Sequence, residues 1–159
     1  MKIIIKVDSW VAQQSFAQPI REQVFIQEQA VPVAEEWDDM DAQSRHAIAW
    51  RPARHELDQA EVIGTARLLP SQLLPTLNER HSSIGRMAVL PQWRGRGVGR
   101  QLLQTLMAEA RQRGDDVVNL HAQLHAVPFY QQAGFSIVGE TFMEAGIAHV
   151  AMAYRNRND

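Results

Sequence analysis

The sequence predicts a mixed α/β domain, and three observations carry that expectation. Runs rich in Ile and Val alternate with helical periodicities along 159 residues, a length that suits one domain, expected to span 1–159, around a single core. One strand runs straight into a glycine-rich turn and then into the strongest amphipathic stripe of the chain, the pattern of a strand–helix–strand crossover in which the two strands are parallel. The balance of 45% hydrophobic and 21% charged residues is that of an ordinary globular protein.

Taken in order, Lys2 to Val7 reads as a first strand, with Asp8 and Ser9 offering capping or turn oxygens. A helix is expected after Ser15, with Pro19 in its first turn and Ala17, Ile20, Val24 and Phe25 on its apolar face, ending before Val31-Pro32. The acidic segment Glu35 to Asp41 follows as a loop. His46 to Arg51 and Val62 to Leu69 read as two antiparallel strands joined through Pro52 to Glu61, and Pro70 and Pro75 bracket an irregular connection.

Ser83 to Leu90 is the fourth strand and leads into Gln92-Trp93-Arg94-Gly95-Arg96-Gly97-Val98-Gly99-Arg100. Beyond it, Val98, Leu102, Leu103, Leu106, Met107 and Ala110 form one stripe of 3.6-residue period, closed by Gly114. Val117 to Ala122 is a fifth strand, Ala126 to Ala133 a short helix ended by Gly134, and Phe135 to Gly139 a further strand. Val150, Met152 and Tyr154 alternate in a last one.

Several function classes are excluded or disfavoured at this level. The chain has no cysteine, so disulfides, thiolate metal sites and acyl transfer through a cysteine are ruled out. A net charge of -2 disfavours general nucleic-acid binding. No apolar run reaches the roughly 20 residues of a membrane helix and no signal-peptide pattern opens the chain, so no membrane partner and a cytoplasmic location are expected. His121 and His125 are the one histidine pair at close spacing, across a strand-to-loop change, and no metal site is expected.

The charge is unevenly distributed. Between Arg80 and Ala108 there is no Asp or Glu, yet the stretch holds Arg80, Arg86, Arg94, Arg96 and Arg100. A strand ending in a glycine-rich turn that opens a helix aims free N–H groups and the positive end of the helix dipole at one point, which suits a phosphate. Gly95, Gly97 and Gly99 leave room there, and Arg94, Arg96 and Arg100 add charge with no acid nearby in the chain, so a polyphosphate is the expected ligand. A P-loop would need Gly-Lys-Ser/Thr, but the only lysines are Lys2 and Lys6; a dinucleotide fingerprint fails at Arg100 and at Leu102.

Arg94-x-x-Gly97-x-Gly99 does fit the Q/R-x-x-G-x-G/A pyrophosphate loop of the Gcn5-related N-acetyltransferase (GNAT) superfamily, which the sequence resembles. Gln123-x-x-Ala126-x-x-Phe129-Tyr130 followed by Gly134-Phe135 is similar to the family's later motif, with Gln123 where asparagine is commoner. Val24 to Pro32, Asp38-x-x-Asp41 with His46, Leu120-x-Ala122-Gln123, and Glu144-Ala145-Gly146-Ile147-x-His149 resemble its ElaA/YjcF-like branch, and the likeness covers nearly the whole chain. It implies a mixed, mostly antiparallel central sheet flanked by helices, with a parallel splay between the fourth and fifth strands. It also implies acetyl-CoA as acyl-donor cosubstrate.

The expected reaction is direct, sequential transfer of an acetyl group to a primary amine, either a small molecule or a peptide N-terminus. Alternatives are a non-catalytic acyl-CoA sensor and a transferase using a longer acyl-CoA; a homodimer fits either. The donor is expected against Met87, Ala88, Val89, the turn Arg94, Gly95, Arg96, Gly97, Val98, Gly99 and Arg100, and Gln123. The resemblance makes Tyr130 the general acid for the departing thiolate. The fourth strand carries no Asp or Glu, so the base is sought among His121, His46, His149 and Glu28, with His121 favoured for its intrinsic basicity. Glu28, Gln29, Trp37, Asp38, Asp41 and His46 are expected on the acceptor side, where acidic groups and an indole face suit a cationic amine.

Overall fold

The computed structural model describes residues 2–157; Met1, Asn158 and Asp159, the ends of the domain expected across 1–159, lie outside the described residues. The elements are β1 (Ile4–Ser9), α1 (Trp10–Arg21), α2 (Val33–Glu36), β2 (Arg45–Arg51), β3 (Glu61–Leu68), β4 (Gln72–Leu74), β5 (Glu79–Val89), α3 (Val98–Gln112), β6 (Val117–Gln123), α4 (Val127–Gln132), β7 (Ser136–Glu144) and β8 (Ile147–Arg155). One sheet has the order β1-β2-β3-β5-β6-β8-β7, with β4 paired to the start of β5. Among the described residues only β5 and β6 run parallel, joined by the α3 crossover, and every other pairing is antiparallel. The architecture is the mixed, mostly antiparallel sheet with one parallel splay that the resemblance implies.

The stripe of α3 does what its period dictates. Val98, Leu102, Leu103, Leu106 and Ala110 are buried, with Met107 at the margin, against Ile63, Leu68, Ile84, Val118, Leu120 and Met152 of the sheet. Burying each such leucine contributes roughly 1.5–3 kcal/mol, so this contact is the main support of the core.

Local readings are corrected in three places. The first helix begins at Trp10, because the Ser9 hydroxyl accepts the Ala12 N–H at 3.3 Å as an N-cap, and Pro19 sits inside the helix instead of in its first turn. Past Arg21 the helix widens into a π-helical stretch, Glu22–Glu28, a departure that occurs mostly at functional sites. The connection between Pro70 and Pro75 contains β4, which pairs with His81, Arg80 and Glu79, so the expected fourth strand starts earlier and is β5.

The splay has a local cause. Only three pairs hold β5 to β6: His81↔Val117, Ser82↔Val118 and Ser83↔Asn119. Beyond them β5 follows β3 as far as Val89↔Gly64, while β6 follows β8 as far as Gln123↔His149. A bulge on β5, opposite the register shift between Thr65 and Arg67, puts Arg86 at φ +48, a backbone state costly for a residue with a side chain. The Arg86 guanidinium offsets that cost by donating to the carbonyls of Glu35 and Glu36 at 3.1 Å.

Candidate active site

The glycine-rich turn follows the end of β5, whose last residues have already parted from β6. Gly95 and Gly97 have φ of +74 and +84, the left-handed region that other residues enter only with strain, and a Cβ on either would project into open space. Gly97 caps α3, whose first turn contains no acidic residue. The N–H groups of Val98, Gly99 and Arg100 have no acceptor within the helix. A Cβ on Gly99 would stand 3.5 Å from Phe129, 3.8 Å from Val89 and 3.9 Å from Met87, ordinary contact distances, so the start of α3 lies against α4 and the β5 edge. Arg96 lies over the Trp93 ring at 5.1 Å, and Arg100 is exposed. The turn is thus an open, cationic segment with free backbone donors at the start of α3, matched to a polyphosphate.

One expectation about this turn is corrected. Arg94 is not free of acids: Glu28 accepts two bonds from its guanidinium, each at 2.8 Å, while Arg94 Nε donates to the Val89 carbonyl at 3.0 Å. The Arg94 hydrogen bond holds the Glu28 carboxyl below its usual range against a smaller effect of burial, and Arg94 is raised in turn by Glu28. Chain distance concealed the pair. The same contact occupies the Val89 carbonyl, one of the edge groups assigned to the donor.

Gln123, at the end of β6, donates to Gln29 Oε1 at 3.1 Å. The π-helical widening therefore brings Glu28 and Gln29 to the two lips of the splay, one on the turn and one on β6. Of the remaining edge residues, Ala88 is buried against β3 and Met87 is half-buried. Tyr130 is half-buried on α4 with Phe129 at 5.0 Å and Phe135 at 6.1 Å. Burial pushes its phenol up to about 12, so it stays protonated near neutral pH.

The acidic segment folds differently from its sequence reading. Arg21, 1% exposed, binds Glu36 at 2.9 Å and Asp41 at 2.7 Å, and Arg67 binds Asp38 at 2.7 Å and Asp41 at 3.0 Å. Arg86 adds Glu36 at 3.2 Å and Asp38 at 3.4 Å. Three arginines thus neutralise three acids. Trp37 presents its face to Arg21 at 4.9 Å, with Trp10 at 5.5 Å from the same guanidinium. Buried His46 has its Nε2 2.9 Å from the Asp41 carbonyl and its ring 4.6 Å from Trp10; burial, the largest influence, lowers its basicity. Asp41 and His46 are therefore internal supports and not acceptor contacts, and Trp37 serves an internal cation. Asp38 remains half-exposed at the margin, but its carboxylate is committed to Arg67 and Arg86.

His121 is exposed on β6, its Nδ1 3.1 Å from Glu144 Oε1, and Glu144 Oε2 lies 3.7 Å from His149 Nε2. Nothing in their local sequence marks Arg21 or Arg67 for a role in the site, and Glu144 stands only in the block Glu144-Ala145-Gly146-Ile147-x-His149. No group of three or more His, Asp or Glu among the described residues is arranged to hold a metal ion, and no described helix is long and apolar enough to cross a membrane.

Comparison with known proteins agrees with this geometry. Residues 56–156 match the model of the acetyltransferase (GNAT) domain. The chain is 31% identical over 134 residues to the uncharacterized N-acetyltransferase YjcF of Bacillus subtilis (strain 168), covering 84% of this chain and 86% of that protein. To protein ElaA of Escherichia coli (strain K12) it is 36% identical over 134 residues, covering 82% and 79%. The crystal structure of Escherichia coli ElaA superposes with a TM-score of 0.77 at 31% identity, covering 97% of this chain and 100% of the other. With the splayed strands, the glycine turn and the family match in agreement, the chain belongs to the GNAT acetyltransferase family.

Proposed function

We propose that the protein transfers an acetyl group from acetyl-CoA to a primary amine, a small molecule or a peptide N-terminus, by direct attack with donor and acceptor bound together. The observation that carries this reading is the parting of β5 from β6, with the free end of β5 at Met87 and Val89 set against the N-terminus of α3 at Gly99. The first-turn N–H groups of α3, with Arg96 and Arg100, hold the pyrophosphate, and the exposed edges of β5 and β6 receive the amides of an extended chain as an added strand would. The donor supplies a thioester carbonyl at the end of that slot.

The acceptor arrives as an ammonium and must lose a proton before it attacks. His121 Nε2 takes that proton and passes it to solvent. The amine lone pair then forms the new C–N bond while the C–S bond breaks, and the sulfur leaves with the electron pair. Tyr130 gives its proton to the sulfur and recovers one from the nitrogen of the new amide through solvent. One proton is released overall. Glu28 and Gln29 flank the acceptor at the lips of the splay.

The test is a screen of small amines and peptide N-termini with acetyl-CoA, read by release of free CoA. Acceptor-dependent release supports the reading. Tight acetyl-CoA binding without release toward any amine would favour the acyl-CoA sensor instead.

A further inference from the structure

We propose that Glu144 is a positioning residue for His121: it fixes the imidazole tautomer so that Nε2 presents its lone pair to the acceptor amine. The proposal rests on the transferase reading above with His121 as base. Its own support lies at the tip of the β7–β8 hairpin.

Glu144 and Ile147 are paired across the two-residue turn Ala145-Gly146, whose φ angles are +51 and +75. That turn requires positive φ at both central positions and leaves little play at its ends, so it fixes the Glu144 backbone. In register, Phe142 stands opposite His149, His149 opposite Gln123, and Ala151 opposite His121. Because paired residues share a face and alternate residues return to it, Phe142, Glu144, His149, His121 and Gln123 all lie on one face of the sheet. It is the face reached by Gln29, through its bond with Gln123.

The ladder between β5 and β6 ends at Ser83↔Asn119. Were it continued, Gly85 would stand opposite His121, just before the bulge at Arg86 shifts the register of β5. His121 therefore sits on the far lip of the splay, across from the part of β5 that leads into Met87, Ala88 and Val89.

The chemistry at each ring nitrogen follows from its partner. An ionised carboxylate can only accept, so the 3.1 Å contact to Glu144 Oε1 makes His121 Nδ1 the donor and leaves Nε2 with the lone pair. A carbonyl can only accept as well, so His149 donates from Nδ1 to the Ile147 carbonyl at 2.7 Å. His149 is 9% exposed at its side chain, whereas His121 is 54% exposed, so only His121 is open to a substrate. Phe142 packs against both, its ring 4.9 Å from His121 and 6.0 Å from His149. When Nε2 takes a proton, the positive charge forms beside Glu144, which stabilises it without leaving its hydrogen bond.

Two measurements test this on the full-length protein. Two-bond 1H–15N correlation spectra of the imidazoles, recorded at mildly alkaline pH, should show His121 as the Nδ1–H tautomer in wild type. In Glu144→Ala it should revert to the Nε2–H form that free histidine prefers. His121 found in the Nε2–H form in wild type, or an unchanged tautomer in Glu144→Ala, overturns the proposal whatever the activity.

In kinetics, Glu144→Ala should lower kcat about tenfold or more, part of the 10²–10⁴ typical of a general base, with acetyl-CoA affinity unchanged. Glu144→Gln, whose amide oxygen still accepts from Nδ1, should recover most of the loss. In a His121→Ala background, Glu144→Ala should cost nothing further. Full additivity of the two losses would overturn the proposal. Failure of wild type to turn over any amine would instead sink the transferase reading, and the tautomer would still decide the placement of His121.

Discussion

Glu28 and Arg94 meet across 66 positions in two hydrogen bonds of 2.8 Å, joining the end of the π-helical stretch to the start of the glycine turn. In the function proposed above one residue flanks the acceptor and the other the donor, so the pair would link the two halves of the site. It also sets a competition, because a guanidinium bound to a carboxylate is less available to a phosphate.

Glu28→Gln should release Arg94 from that competition. Acetyl-CoA is expected to bind a few-fold more tightly in calorimetry, while KM for a cationic amine rises because the acceptor loses a carboxylate. Both partners are well exposed, at 43% and 39%, so stability should move by less than about 1 kcal/mol. Weaker acetyl-CoA binding in this variant would show that the pair shapes the turn instead of competing with the ligand.

Tyr130→Phe keeps the ring among Phe129 and Phe135 but removes the proton donor. Acetyl-CoA affinity should be unchanged and kcat should fall about 10²-fold, the lower end of general-acid effects because a thiolate leaves readily. Since burial pushes the phenol up to about 12, Tyr130 stays protonated through the neutral range. No loss of wild-type kcat traceable to this phenol should therefore occur below about pH 11. An equal kcat in the two proteins would make Tyr130 a packing residue.

Asp38→Asn should destabilise the fold and not the acceptor site. Burial opposes ionisation of Asp38, but Arg67 and Arg86 outweigh it and hold the carboxyl below its ordinary value. A carboxyl lowered in the folded state contributes stability above its unfolded value of about 3.9, and that contribution fades as pH falls through the lower folded value. The variant should therefore lose up to about 1 kcal/mol in urea unfolding at pH 7, the size expected of a solvent-screened ion pair, and the difference from wild type should shrink toward pH 3. An unchanged stability together with a raised KM for cationic amines would restore Asp38 to the acceptor mouth.

What the sequence revealed of the fold was what local periodicity encodes. The α3 stripe, the turn before it and the β5–α3–β6 crossover are all written in neighbouring residues. The β4 pairing was hidden because three residues carry too little pattern, and the widening of the first helix because nothing in Glu22–Glu28 contradicts an ordinary helix. The acidic segment misled for a different reason. Arg21 and Arg67 lie 20 and 26 positions from Asp41, and only the sheet and the first helix bring them together. A run of acids whose partners come from elsewhere in the chain looks solvated or substrate-facing until the fold is known. Glu28 with Arg94 and Glu144 with His121 were concealed in the same way.

The central claim is that the open turn at the start of α3 binds the donor, and isothermal calorimetry of acetyl-CoA against wild type, Gly97→Ala and Gly97→Glu tests it most directly. Both variants strain the same left-handed position, at φ +84, so thermal melts should show similar modest destabilisation. Gly97→Ala should retain measurable binding, whereas Gly97→Glu, which adds negative charge where the pyrophosphate meets the backbone N–H groups, should raise Kd by at least about tenfold. A folded Gly97→Glu protein that binds acetyl-CoA as tightly as wild type would contradict the placement of the donor at this turn.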